Sequence, residues 1–389
     1  MTTLDAGRYW RLSAFYFAYL GALGAYSPYF APYLDARGLS AMQISTMMSL
    51  WYGTRVFAPG LWSFFAARSA QPLRWLQAGA IGTLACFALF LLPMPYWALL
   101  LVMTAFATCY NAIMPQFEAH TLAQLGAARA AYGRVRVWGS VGFVLANVGF
   151  GVLLQQIGYG HLILVLLPCF AALVWAAYAA PPASGASPSA AASTEEPDAG
   201  FLPTLRRTEV QRFLLAAFLM QVAHGPFYVF YSLFLKEHGY PATAIGGLWA
   251  VGVLVEIGVF LVIRGWLQRY PAEALMGLCF MVGALRWSLT AAFPESPAMM
   301  VLAQCGHAFT FAVFHSAGMQ LVAQYFPGRL AGHGQGVLYG FSSGFGGVVG
   351  ALAAGAAWHH GGGVASFAMA ALISLLGAVL LLVRLRVRT

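Results

Sequence analysis

The chain has 389 residues, of which 61 % are hydrophobic and only 8 % charged, with a formal net charge of +9. A soluble domain carries about 25 % charged residues, so a soluble enzyme or soluble binding domain is excluded and a polytopic all-α membrane protein is expected. Apolar runs of the length needed to cross a bilayer as a helix fall at 10–34, 41–67, 73–93, 97–125, 132–157 and 160–180. The first of these is too long for a cleaved leader. The stretch that follows, PPASGASPSAAASTEEPDAG at 181–200, is small, polar and acidic through Glu195, Glu196 and Asp198, and reads as a flexible linker. A second set of runs falls at 210–236, 242–268, 273–293, 297–325, 331–358 and 363–384. The expected organisation is a six-helix bundle at 1–180, a cytoplasmic linker at 181–209 and a second six-helix bundle at 210–389.

The basic residues fix the expected topology. With the N-terminus inside, the cytoplasmic side holds Arg8 and Arg11, Arg68 and Arg74, Arg129, Arg134 and Arg136, Arg206, Arg207 and Arg212, Arg264 and Arg269, Arg329 and the terminal Arg384, Arg386 and Arg388. The outer loops hold only Arg37 and Lys236. That bias places both termini in the cytoplasm and accounts for the positive charge without nucleic acid. Five cysteines are scattered singly with no CxxC pair and read as small packing residues.

The two halves repeat. A shift of 201 residues lays Gly24 on Gly225, Tyr26 on Phe227, Tyr29 on Phe230, Arg68 on Arg269 and Gly139 on Gly340. Two six-helix repeats in the same orientation are related by an axis along the membrane normal. This resembles the architecture of the major facilitator superfamily, which implies transport by alternating access. The repeat also breaks at informative places: Arg55 falls on Glu256, opposite charges at one repeat position, and Arg136 falls on the uncharged Val337.

Few ionisable side chains lie within the spans. Glu256, near the middle of 242–268, is the most telling, because a carboxylate at the centre of a membrane helix costs on the order of 3 kcal/mol on insertion scales. It needs a partner or a wet cavity. Arg55 and Glu256 each lie about thirteen residues, roughly 20 Å, from the outer end of their helices. Arg286 and His307 lie at similar depth, within about two turns. Glu118 and Arg136 sit near the cytoplasmic ends of consecutive helices, where they make either a structural gate or a binding pair. His120 and His315 read as hydrogen-bonded packing residues. Tyr26 and Phe227 belong to aromatic faces of the first and seventh helices. No zinc, nucleotide-loop or nucleophile-elbow motif is present, so no enzyme, no metal and no cofactor is expected, and this chain carries no ATP site to drive transport.

The stretches YGRVRVWGSVGF (132–143), GGLWAVGVLVEIG (246–258), LRW (285–287) and HAFTFAVFH (307–315) resemble the lactose-permease-like branch of the major facilitators, and within it the 3-phenylpropionate permease group. The resemblance spans essentially the whole chain. It implies a multi-pass protein of the bacterial inner membrane, monomeric, that moves a small molecule with protons. It implies that Arg136, Glu118 and Glu256 contact substrate and that Glu256, Arg286 and His307 couple to protons. It also implies that the first and seventh helices line the central cavity, so that Tyr26 and Phe227 can meet the solute. Two residues depart from the lactose permease. Thr310 stands where that protein has a protonated glutamate, and Phe143 where it has a stacking tryptophan. Phe143 is the residue of the phenylpropionate pattern. The expected function is proton symport of an aromatic monocarboxylate such as 3-phenylpropionate. The alternatives are proton symport of a sugar or nucleoside and, from another class, a sensor built on a transporter fold.

Overall fold

A computed structural model describes residues 5–182 and 200–385. The linker acids Glu195, Glu196 and Asp198 and the terminal Arg386 and Arg388 lie outside the described residues. Within them the chain is helical throughout, with no strand. The first half comprises α1 (Ala6–Ala36), α2 (Ala41–Ala67), α3 (Pro72–Ala88), α4 (Tyr96–Leu125), α5 (Tyr132–Ile157) and α6 (Leu162–Ala179). After a short turn at Phe201–Leu205 come α7 (Thr208–Glu237), α8 (Ala242–Arg269), α9 (Ala272–Ala292), α10 (Pro297–Tyr325), α11 (331–360) and α12 (363–385). The last two run on without a loop, parted where Gly361 and Gly362 leave helical geometry; Gly362 has φ +67°, a conformation that suits glycine.

Among the described residues, eight stretches are long and apolar enough to cross a membrane, and two of them are fused pairs, Tyr96–Ile157 and Gly328–Leu381. Helices α1 and α2 fall below that hydropathy because they are rich in tyrosine, serine, glycine and proline.

By packing, the chain divides into two units. One runs to Arg37 and resumes at Thr54; the other takes Gly38–Gly53 together with everything after the linker. The first half of α2 thus packs with the second unit. There a Cβ on Gly347 would run into the Tyr52 ring, and one on Gly355 into Ser45.

In the first unit α1 is the central element. Asp5 caps it by accepting from the Arg8 backbone N–H at 3.0 Å. Its tyrosines tie neighbouring helices through backbone carbonyls. Tyr19 donates to Tyr110 O at 3.2 Å while Tyr110 donates to Tyr19 O at 2.7 Å, and Tyr29 donates to Asn147 O at 2.6 Å. In a bilayer such bonds satisfy phenols that lipid cannot. Phe30, Phe87, Phe90, Phe106 and Phe170 fill the space between, all buried.

In the second unit α7 is broken at His224, Gly225 and Pro226. Pro226 lacks the N–H that would bond the carbonyl of Val222, and the helical ladder lapses at His224. A Cβ on Gly225 would overlap the backbone of Gly350, just as one on Gly24 would meet Phe143 in the first unit. The repeat-related glycines therefore serve the same kind of crossing, α1 on α5 and α7 on α11. Gly225→Ala is expected to lower the melting temperature of the detergent-purified protein, since overpacking of this kind costs about 1–3 kcal/mol. An unchanged melting curve would show that the crossing relaxes freely. Helices α10 and α11 each contain a π-helical stretch, Phe309–Val313 and Tyr339–Gly346. Such bulges often mark functional positions.

Candidate functional site

Two charged clusters lie in the membrane region, one in each unit. In the first, Arg136 Nε on α5 stands 3.4 Å from Glu118 Oε1 on α4. Tyr132 donates to the same Oε1 at 3.3 Å, and the guanidinium sits 5.3 Å from the centre of the Tyr16 ring. Both charged side chains are more than a third exposed, so the ion pair itself is worth only about 0–1 kcal/mol. Its chemistry is that of a half-open donor and acceptor pair.

The second cluster is buried. Arg286 on α9 is 1 % exposed and lies against two rings, with Cζ 4.0 Å from the Trp287 ring centre and 5.0 Å from that of Phe227. Its Nη1 donates to Thr310 Oγ1 at 2.8 Å and to His307 Nδ1 at 3.2 Å. A guanidinium only donates, so His307 accepts at Nδ1 and, when neutral, carries its hydrogen on Nε2. That nitrogen faces Glu256 Oε2 at 3.8 Å. The order Glu256, His307, Arg286 is thus a line of alternating acceptor and donor across α8, α10 and α9.

The line continues through Thr310. Its hydroxyl, already accepting from Arg286, lies 3.1 Å from Nε2 of His224, whose Nδ1 lies 2.7 Å from the carbonyl of Met220. The carbonyl can only accept, so Nδ1 bears the hydrogen, and Nε2 of the neutral ring shares the Thr310 hydroxyl hydrogen with the His307 carbonyl 3.3 Å away. His224 stands at the α7 break and Thr310 in the α10 π turn. A cavity of about 90 Å³, lined in part by His224, Tyr228, Thr310, His315 and Ser342, opens beside them. That volume holds a few waters but falls well short of the 300–1,000 Å³ of a ligand pocket.

A family model described as the MFS_1 like family matches residues 9–369. The chain belongs to the MFS_1-like family. It is 29 % identical over 316 residues to the probable 3-phenylpropionic acid transporter of Escherichia coli strain K12, covering 79 % of this chain and 80 % of that one. It is 25 % identical over 286 residues to the maltose permease of Geobacillus stearothermophilus, covering 72 % and 70 %. Among solved structures it matches the nucleoside transporter NupG with a TM-score of 0.81 at 16 % identity, covering 96 % of this chain and 97 % of that one. A bacterial homologue of the human lysosomal transporter Spinster matches with a TM-score of 0.71 at 17 % identity. This member of the MFS_1-like family is therefore a multi-pass membrane transporter of a small molecule, on the major facilitator fold.

The structure brings Glu118 to Arg136 and Glu256 to His307, with Arg286 on the far side of that histidine. The other candidates stand elsewhere. Tyr26 is 2 % exposed and packs on Phe30 and Phe106. Phe143 lends its backbone to the Gly24 crossing, and its carbonyl accepts from Asn147 Nδ2 at 2.7 Å. Arg55 is partly buried on α2, just past the point where the two units divide. Phe227 is 2 % exposed and lies on the Arg286 cluster.

Sequence reasoning gave no role to His224 or Trp287; it noted Thr310 as a departure from the lactose permease and Tyr231 as one ring of the seventh helix's aromatic face. The available signals were Pro226 beside the histidine and the LRW run that places a ring next to the arginine.

Proposed function

We propose that this transporter takes up an aromatic monocarboxylate of the 3-phenylpropionate type together with protons, by alternating access, using the proton gradient across the bacterial inner membrane and no cofactor. The observation that carries the reading is the line of Glu256, His307 and Arg286, buried at its arginine end against Phe227 and Trp287, with Trp249 packed on Phe227. A titratable line deep in a membrane helix bundle is a feature of proton coupling, and rings beside a cation suit an aryl acid. The name of the E. coli relative points the same way. Two amide donors that could have bound hydroxyls are already committed: Asn111 donates to Thr54 Oγ1 at 2.9 Å and Gln116 to Pro72 O at 2.6 Å.

The test is uptake of labelled 3-phenylpropionate into proteoliposomes under an inside-alkaline pH gradient. Gradient-driven accumulation, with competition by aryl acids and none by galactosides or nucleosides, is expected. Galactoside or nucleoside competition with no response to aryl acids would overturn the reading.

A second reading, symport of a sugar or nucleoside, is favoured by the Glu118–Arg136 pair, because a half-exposed carboxylate beside a guanidinium accepts and donates to hydroxyls. Under that reading Arg136→Lys, which keeps the charge and loses the rigid fork, lowers the apparent affinity for the hydroxylated solute by about tenfold or more. Equal affinity in the lysine variant would reduce Arg136 to a point charge or a gate.

A further inference from the structure

Arg286 is bonded at one corner only. Nη1 makes both of its hydrogen bonds, while Nε and Nη2 have no partner although the side chain is 1 % exposed. Among the described residues it forms no ion pair with a carboxylate. Leaving such donors unmet in a membrane interior is costly. The same part of the second unit holds two more buried donors without partners, Trp287 Nε1 and Tyr231 OH. Trp287 is stacked under the guanidinium, and Tyr231 lies within Coulombic reach of it. Both are 0 % exposed. Two elements thus carry unmet donors in this part of the unit, α9 with Arg286 and Trp287 and α7 with Tyr231, while α10 holds the guanidinium in place through Thr310 and His307.

The phenol has the buried, unmet Oε1 of Gln304 near it, but a guanidinium edge with no carboxylate and an indole N–H beside it still define the missing group by its chemistry: an anion with two or more acceptor oxygens. We infer that the Nε/Nη2 edge of Arg286, with Tyr231 OH and Trp287 Nε1, is the anchor for the carboxylate of the transported acid. The side-on edge of a guanidinium takes a carboxylate through two parallel bonds, and Nη1 stays on Thr310 and His307 while it does so. Arg136 differs in having Glu118 as its anion already. The phenyl ring of the acid then meets Phe227 and Trp249, which pack on one another at a 30° tilt with centroids 4.6 Å apart. Carboxylate and proton also come to share one cluster: an anion on Arg286 favours added positive charge on its neighbours, and reciprocally. Those neighbours are His307 and Thr310 from α10, His224, Tyr228 and Tyr231 from α7, and Glu256 from α8 through His307. The inference rests on the proposed function and names the residues that hold its substrate.

The experiment compares two probes on the purified full chain, 3-phenylpropionate and 3-phenylpropan-1-ol, which differ only in the carboxylate. Wild-type protein should be stabilised by the acid far more than by the alcohol, since binding to the native state raises stability by mass action. In Arg286→Met that preference for the acid should vanish, a loss of about a hundredfold or more. Tyr231→Phe, which removes only the hydroxyl, should shrink it by about tenfold. In Arg136→Lys the acid-to-alcohol ratio should persist even where overall affinity falls. A preference that survives in Arg286→Met, or disappears in Arg136→Lys, overturns the inference. So does sodium chloride that reproduces the whole shift while the acid adds nothing, because the site then takes a halide. If Arg286→Met does not fold, Tyr231→Phe decides alone, and an unchanged ratio there overturns it. Wild-type protein that answers to no aryl acid defeats the proposed function instead.

Discussion

Glu256→Gln is expected to abolish uphill accumulation while sparing exchange. The substitution keeps the shape of the side chain and removes its charge. Glu256 lies 3.8 Å from His307 Nε2, and His307 in turn accepts from Arg286. With the carboxylate gone, the line keeps its cation and loses the anion at its far end. A proton brought in with the substrate then has no carboxylate to balance or receive it. Net symport requires the empty carrier to return with the cluster in a different charge state, whereas exchange of internal for external substrate does not. In proteoliposomes the variant should therefore bring labelled aryl acid only to equilibrium under a pH gradient, with counterflow within a few-fold of wild type. Glu256→Asp, one methylene shorter, should retain a part of the accumulation. Wild-type accumulation in the glutamine variant would remove Glu256 from the coupling step.

What the sequence could and could not disclose follows from the physics of each signal. Span lengths and the repeat-related glycines were legible because hydrophobic length and glycine position are properties of the chain itself. Gly24 and Gly225 were paired by offset alone, and both make close helix crossings. The pairing of Glu118 with Arg136, and of Glu256 with His307, followed from depth, since few charges lie in the spans and each seeks a partner. Depth says nothing of azimuth, however. It could not tell that Tyr26 points into a packed aromatic core while Phe227 covers a guanidinium. Nor could periodicity find Thr310, because a π turn shifts the register of α10 by one residue and carries the threonine onto Arg286 and His224. The packing of Gly38–Gly53 with the second unit was likewise beyond reach, since no local pattern marks where a single long helix changes neighbours.

The departure at Thr310 gives the other large effect. Thr310→Asp is expected to eliminate aryl-acid binding without unfolding the protein. The threonine is 3 % exposed, and its Oγ1 lies 2.8 Å from Arg286 Nη1 and 3.1 Å from His224 Nε2. Aspartate is close to threonine in size, so the introduced carboxylate can stand where the hydroxyl stood. It meets Arg286 as a built-in anion at hydrogen-bond distance. A substrate carboxylate on the Nε/Nη2 edge would then share one cation with a fixed anion at Nη1, and the like charge beside it opposes binding. Apparent affinity for 3-phenylpropionate should fall by about a hundredfold or more. The ligand-free protein, its arginine now paired, should melt no lower than wild type. Thr310→Ser, which restores the hydroxyl, should bind normally, and Thr310→Val, which frees Nη1 without supplying charge, should retain most of the preference for acid over alcohol. Thermal-shift titration of the three variants checks the set. An aspartate variant that binds the acid as well as wild type would mean that the arginine's charge is not what holds the substrate.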